Sequence, residues 1–206
     1  MKKLLVAGCL LLTGTLAMAQ EKNNHANADT KWQARLRVIA AVPPSSSYDL
    51  SGADVKISAS IVPELDFTYF FTKNLAAELI LGTTKHTVKT EASGTETKLG
   101  TVWLLPPTLN FQYHLPLKGF TPYIGTGVNY SIFYGAKDKA ASLEYKNRFG
   151  FSTQLGTDID ISSKWFINVD IKKIWLKTDV TVNKATTLND VKVNPFIFGL
   201  GIGRKF

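Results

Sequence analysis

Cysteine, histidine and long apolar runs are scarce in this chain of 206 residues, and each scarcity closes off a class of protein. A single cysteine, Cys9, excludes a disulfide framework and any cysteine-rich metal site. Three histidines, His25, His86 and His114, lie far apart without metal-ligand spacing, and no phosphate-binding loop accompanies them, so neither metal nor cofactor is expected. Past residue 20 no stretch reaches the roughly 18 consecutive apolar residues of a membrane helix. Helical periodicity is missing too, apart from one turn's worth in "KDKAASLEYK" at 137–146. The formal charge of +8 raises nucleic acid as a partner. Its lysines are scattered, however, so no nucleic-acid partner is expected and the charge reads as attraction to acidic lipid headgroups or as solubility.

What is present starts with "MKKLLVAGCLLLTGTLAMAQ": two lysines, an apolar run, then Ala17-Met18-Ala19, the layout of a cleaved secretory signal. Residues 1–19 are expected to be removed, leaving 20–206 as one exported domain without cysteine. Val6 to Cys9 also resembles a lipoprotein lipobox, but Leu4 to Gly8 falls short of the ~7 apolar residues such a signal needs.

The mature part alternates. In "RFGFSTQLGTDIDI", Arg148 to Ile161, the residues Phe149, Phe151, Leu155, Ile159 and Ile161 share one parity while Ser152, Gln154, Asp158 and Asp160 share the other. That is a strand with one greasy and one polar face. The same test predicts eight strands, at about 32–43, 55–71, 75–88, 98–115, 120–135, 147–161, 165–179 and 191–206. Short connections at Thr72-Lys73-Asn74, Pro116 to Gly119 and Ser162-Ser163-Lys164 alternate with long polar ones at 44–54, 89–97, 136–146 and 180–190. An even number of long strands with that alternation predicts an all-β fold, an eight-stranded antiparallel up-and-down transmembrane β-barrel in the outer membrane. A soluble barrel would alternate as well, but with its greasy face inward. Here glycines gather on the polar face. Aromatics form two belts, Trp32, Phe71, Tyr113, Phe120, Trp165 and Phe206 beside the short turns and Trp103, Tyr134 and Trp175 toward the long loops, which favours a bilayer.

Several stretches resemble the OmpW family of small outer-membrane barrels: "LPPTLNFQYHL" (Leu105 to Leu115), "FTPYIGTGVNYSIFY" (Phe120 to Tyr134), "QLGTDIDISSKWFINVDIKKIWLKTDV" (Gln154 to Val180), the ending "VNPFIFGLGIGRKF", and "FTYFFTKNLAAELI" (Phe67 to Ile80). The resemblance implies a narrow channel for small hydrophobic solutes and outer-membrane lipid around it. It also implies that Phe206 is the terminal aromatic read by the barrel-assembly machinery, a signal weakened by Arg204, where such proteins usually carry an aromatic or apolar residue.

Sorted by height, the inward residues change character. Near the short turns they are charged: Arg35, Arg37, Glu64, Asp66, Glu78, Asp158, Asp160, Asp170 and Lys172, a polar plug whose opposite charges are expected to pair. Asn110, Gln112 and Asn168 join them. Toward the long loops they are apolar: Ile39, Val62, Ile80, Leu104, Phe133, Ile174, Leu176 and Ile197. An eight-stranded interior is only just wide enough for side chains, so this upper half is either packed shut or an apolar funnel, and the resemblance favours the funnel. Two rival functions stand beside it. One is a structural or adhesive barrel with a filled lumen. The other is a lipid-modifying membrane enzyme using His86 near Ser93 and Glu91, and the residues show no nucleophile pattern for it, so no enzyme is expected.

One contradiction remains in the fourth strand. Pro106 and Pro107 sit side by side within "VWLLPPTLNFQYHL", yet a closed barrel has no edge on which to place proline. Each is expected to delete one ladder bond, one on either side of the strand, with Pro106 facing the lumen and Pro107 the lipid. Either they mark a bulge that bends the strand or they form a lateral gate for an apolar solute, a role the resemblance also suggests.

Overall fold

A computed structural model describes residues 30–44, 48–50, 53–138 and 142–206. The expected signal at 1–19 and His25 lie outside the described residues. Fifteen strands follow in chain order: β1 (Trp32–Val42), β2 (Tyr48–Leu50), β3 (Ala53–Ile57), β4 (Ser60–Phe70), β5 (Leu75–Gly82), β6 (Thr84–Ala92), β7 (Thr95–Leu105), β8 (Thr108–His114), β9 (Phe120–Asp138), β10 (Leu143–Tyr145), β11 (Arg148–Asp160), β12 (Trp165–Trp175), β13 (Lys177–Val182), β14 (Thr186–Lys192) and β15 (Phe196–Lys205).

Eight of them close on themselves, all antiparallel, in the order β1, β4, β5, β8, β9, β11, β12, β15 and back to β1. The chain is therefore an eight-stranded barrel, and its three short turns lie at one end together with the C-terminus, where the Phe206 N–H bonds the Trp32 carbonyl. The expected strands are right in number but too long. Four of them break at one level, at Ser58-Ala59, Thr83, Pro106-Pro107 and Leu176, and the last at Val193 to Pro195. The expected long loops are also largely strand. Above the break β2, β3, β6 and β7 extend the wall from the upper part of β9, while β10, β13 and β14 form a separate sheet. Polar composition misled the prediction there, because these hairpins rise beyond the bilayer, where a strand needs no continuous apolar face. The helical turn in 137–146 is not formed by its described part, which contains β10.

The wall is inverted relative to a soluble protein. Outward residues such as Phe149 and Ile61 are 76% and 75% exposed, whereas Arg35, Asp66 and Glu78 inside are 0% exposed. An apolar exterior around a charged interior is stable only where hydrocarbon, not water, surrounds the wall, since closing the sheet satisfies its backbone groups internally. Both aromatic belts face outward. The unexpected Arg204 is outward too, its guanidinium 5.4 Å from the Trp165 ring centre and 5.1 Å from that of Phe206, so it sits among aromatics at the short-turn rim.

A plugged lumen beneath an apolar chamber

The plug is assembled by register. Arg35 pairs across the β1–β4 ladder with Asp66, and Arg37 with Glu64. Arg35 Nε meets Asp66 Oδ1 at 2.6 Å, and its Nη2 reaches Glu78 Oε1 and Thr68 Oγ1, each at 2.7 Å. Arg37 Nη2 lies 2.7 Å from Glu64 and 2.9 Å from Asp66. Lys172 Nζ donates to Asp170 at 2.9 Å and to Glu64 at 3.4 Å. Three cations thus face the carboxylates of Glu64, Asp66, Glu78, Asp158 and Asp170, and neutral donors make up the difference. Gln154 Nε2 donates to Glu78 (2.8 Å), Asn168 Nδ2 to Asp158 (2.7 Å), and the Tyr123 hydroxyl to Asp170 (3.1 Å) while accepting from Asn168 (3.0 Å). Buried charge is tolerated only when paired and hydrogen-bonded in this way.

The expected plug loses one member and gains others. Asp160 is exposed at the rim, where it binds Lys205 at 2.7 Å, because its strand ends there and the lumen has opened to water. Tyr123, not among the residues expected in the plug, is 2% exposed at the centre. Its odd position, shared with Thr121, Gly125 and Gly127, is the signal that places it inward. Room for its ring comes from Gly156, where a Cβ would overlap the Tyr123 Cζ and Oη. His114 points into the lumen as expected, stacked 4.8 Å from Tyr123 with Nε2 2.8 Å from Gln112 Oε1.

Above the plug the lining turns apolar. Ile39, Leu104, Ile174, Leu176 and Ile197 form one buried cluster, with Val62 and Phe133 packed against it. The five residues of that cluster, together with Ile80 and Pro106, enclose a chamber of about 40 Å³ whose floor includes Glu64 and Lys172; Val62 and Phe133, expected in the apolar lumen, do not line it. A second cavity of about 190 Å³ lies between the outer sheets, walled by Val88, Val102, Phe133, Leu143, Val180 and Val191, and shares His86, Leu104 and Val193 with the first. The upper space exceeds the ~150 Å³ that accommodates benzene in an apolar protein cavity. The lower one is a constriction.

His86 stands between the two spaces, Nδ1 2.7 Å from the Ser58 carbonyl and Nε2 2.9 Å from Thr84 Oγ1. Neither Ser93 nor Glu91 approaches it. Glu91 pairs with Lys56, and Ser93 occupies the β6–β7 turn. Ser93 and Glu91 therefore do not join His86 as the nucleophile and orienter of a hydrolytic site.

Beside the chamber the wall is incomplete. The β5–β8 ladder ends at Ile80↔Thr108 and the β6–β7 ladder begins at Thr84↔Leu104, so residues 81–83 and 105–107 face each other without a ladder pair. No bulge causes this, since both ladders keep the same register across the gap. Pro106 has no N–H to offer toward β5. Pro107 lacks its own donor toward β9 yet still accepts from the Tyr130 N–H at 3.1 Å. The ladder is therefore interrupted on both sides, as expected, but more widely toward β5 and β6; toward β9 only positions 106 and 107 lack a ladder pair and the bond from Tyr130 remains. Pro106 faces the chamber, as its parity predicted.

This geometry defines a small outer-membrane β-barrel with a salt-bridged plug and an apolar upper lumen. The chain belongs to the OmpW family, whose model matches residues 31–206. It is 39% identical over 183 residues to the uncharacterized outer-membrane protein y4mB of Sinorhizobium fredii, covering 85% of this chain and 80% of that one. It is 31% identical over 147 residues to the dibenzothiophene metabolism operon protein PahQ of Pseudomonas aeruginosa, covering 68% and 69%. The crystal structure of the outer membrane protein OprG from Pseudomonas aeruginosa superposes with a TM-score of 0.76 at 24% identity, covering 86% of this chain and 96% of that one. The protein resides in the outer membrane.

Proposed function

We propose that the barrel is a narrow conduit through which small apolar molecules enter from outside and leave sideways into the membrane at Pro106 and Pro107. The carrying observation is the coincidence of three features at one height: an apolar chamber, a charged plug directly beneath it, and an unpaired stretch of wall beside it. A solute that reaches the chamber meets a floor of ion pairs, where desolvation without new partners is costly. The break toward the lipid is the apolar alternative. The occurrence of a relative named for a dibenzothiophene metabolism operon, dibenzothiophene being an apolar aromatic, agrees with this substrate class. The protein acts as a passage and not as an enzyme, with outer-membrane lipid as its surroundings and Phe206 as the assembly signal.

Uptake of an apolar tracer into cells carrying the wild-type or the Pro106→Ala/Pro107→Ala barrel tests the reading. Restored pairing should abolish uptake while the barrel still assembles; undiminished uptake in the double variant sinks the lateral route. A barrel that passes no tracer in either form is a structural element with a closed lumen, which the 40 Å³ constriction would then explain.

A further inference from the structure

Two polar side chains in the constriction have nothing to bond. Asn129 and Ser131 follow each other on the inward face of β9, 1% and 0% exposed, and both line the chamber beside Pro106. The Asn129 Oδ1 and Nδ2 and the Ser131 Oγ have no hydrogen-bond partner among the described residues. Other buried amides keep at least one bond: Asn110 donates to Glu78 and Gln154, Asn168 to Asp158, and Gln112, whose Nε2 has no partner, still bonds His114 through Oε1. A buried amide left open at both ends is costly to keep unless something fills it. Room for the Asn129 amide itself comes from Gly150 across the ladder, where a Cβ would stand 2.5 Å from Asn129 Oδ1.

Resting on the conduit reading, we infer that the solute it selects is an amphiphile with a neutral hydroxyl end, an aliphatic alcohol, whose oxygen docks on Asn129 and Ser131 while its chain extends into the upper apolar cavity. A hydroxyl both accepts from the Asn129 Nδ2–H and donates to Oδ1, which an alkane does not do at all. A carboxylate is disfavoured, because the floor carries Glu64 and the Lys172 ammonium is already engaged by Asp170 and Glu64. That same ammonium repels a cationic end. The connection through Leu104 and Val193 leads the chain upward past the constriction.

The test is a titration of the full barrel in lipid nanodiscs with 1-octanol, n-octane and octanoate, following the Asn129 side-chain amide by NMR. 1-Octanol should shift that amide and bind roughly tenfold more tightly than n-octane, the worth of one to two hydrogen bonds. Ser131→Ala and Asn129→Leu should lose that preference and keep octane binding. Equal binding of octanol and octane by the wild type, with the amide unmoved, means the two side chains hold water only and overturns the inference while leaving the conduit intact. Tightest binding of octanoate also overturns it. Binding of none of the three removes the conduit reading itself.

Discussion

Gln154 Nε2 donates to Glu78 Oε2 at 2.8 Å straight across the lumen, joining β11 to β5, which are separated along the wall by β8 and β9. A bond between such distant strands makes the plug a cross-brace as well as a seal. Both groups are buried, so the brace is not weakened by solvent.

Removing one charge from that brace should be expensive. Arg35→Met takes from Asp66 and Glu78 the nearer of their two cations, leaving Arg37 at 2.9 and 3.4 Å, and is expected to cost about 3–5 kcal/mol, read as a lower urea midpoint for unfolding from lipid vesicles. Wild-type stability in this variant would show that the plug contributes nothing to holding the barrel closed.

Gly156→Ala places a methyl group on the Tyr123 ring. Overpacking of this kind should cost about 1–3 kcal/mol, and the share due to the ring should vanish in a Tyr123→Leu background, because the two sites share one volume, leaving the contact with the Val169 carbonyl 2.9 Å from that Cβ. Additive losses in the double variant would contradict the packing described.

Leu104 borders both cavities, so Leu104→Trp should fill the passage between them. Tracer uptake should fall several-fold with little change in unfolding midpoint, since an apolar ring replaces empty apolar space. An uptake rate equal to wild type would place the route elsewhere.

Phe206 and Arg204 allow the proposed assembly signal to be tested apart from stability. Deleting Phe206 should reduce the amount of folded barrel in the outer membrane, while protein refolded in detergent keeps nearly the wild-type midpoint, because Phe206 is 54% exposed and contributes only a rim contact. Arg204→Tyr should raise the folded amount. Equal accumulation of all three proteins would remove the signal.

Alternation by itself determined the eight strands, their inside and outside, the seal of charges and the change to apolar lining above it. A period of two assigns every side chain to one face without knowledge of any partner strand, and export from the cell decides which face meets lipid. The same parity already placed Asn129, Ser131 and Pro106 in the lumen. Tertiary structure alone decided what depends on register between distant strands. It removed Asp160 from the plug and put Tyr123 into it over Gly156. It turned the polar loops into two outer sheets, left Asn129 and Ser131 without partners among the described residues, and showed that the wall lacks ladder pairs at the two prolines without a shift of register. Height and facing follow from a strand's own residues, whereas a gap or an unpaired amide exists only relative to the neighbour that fails to reach it.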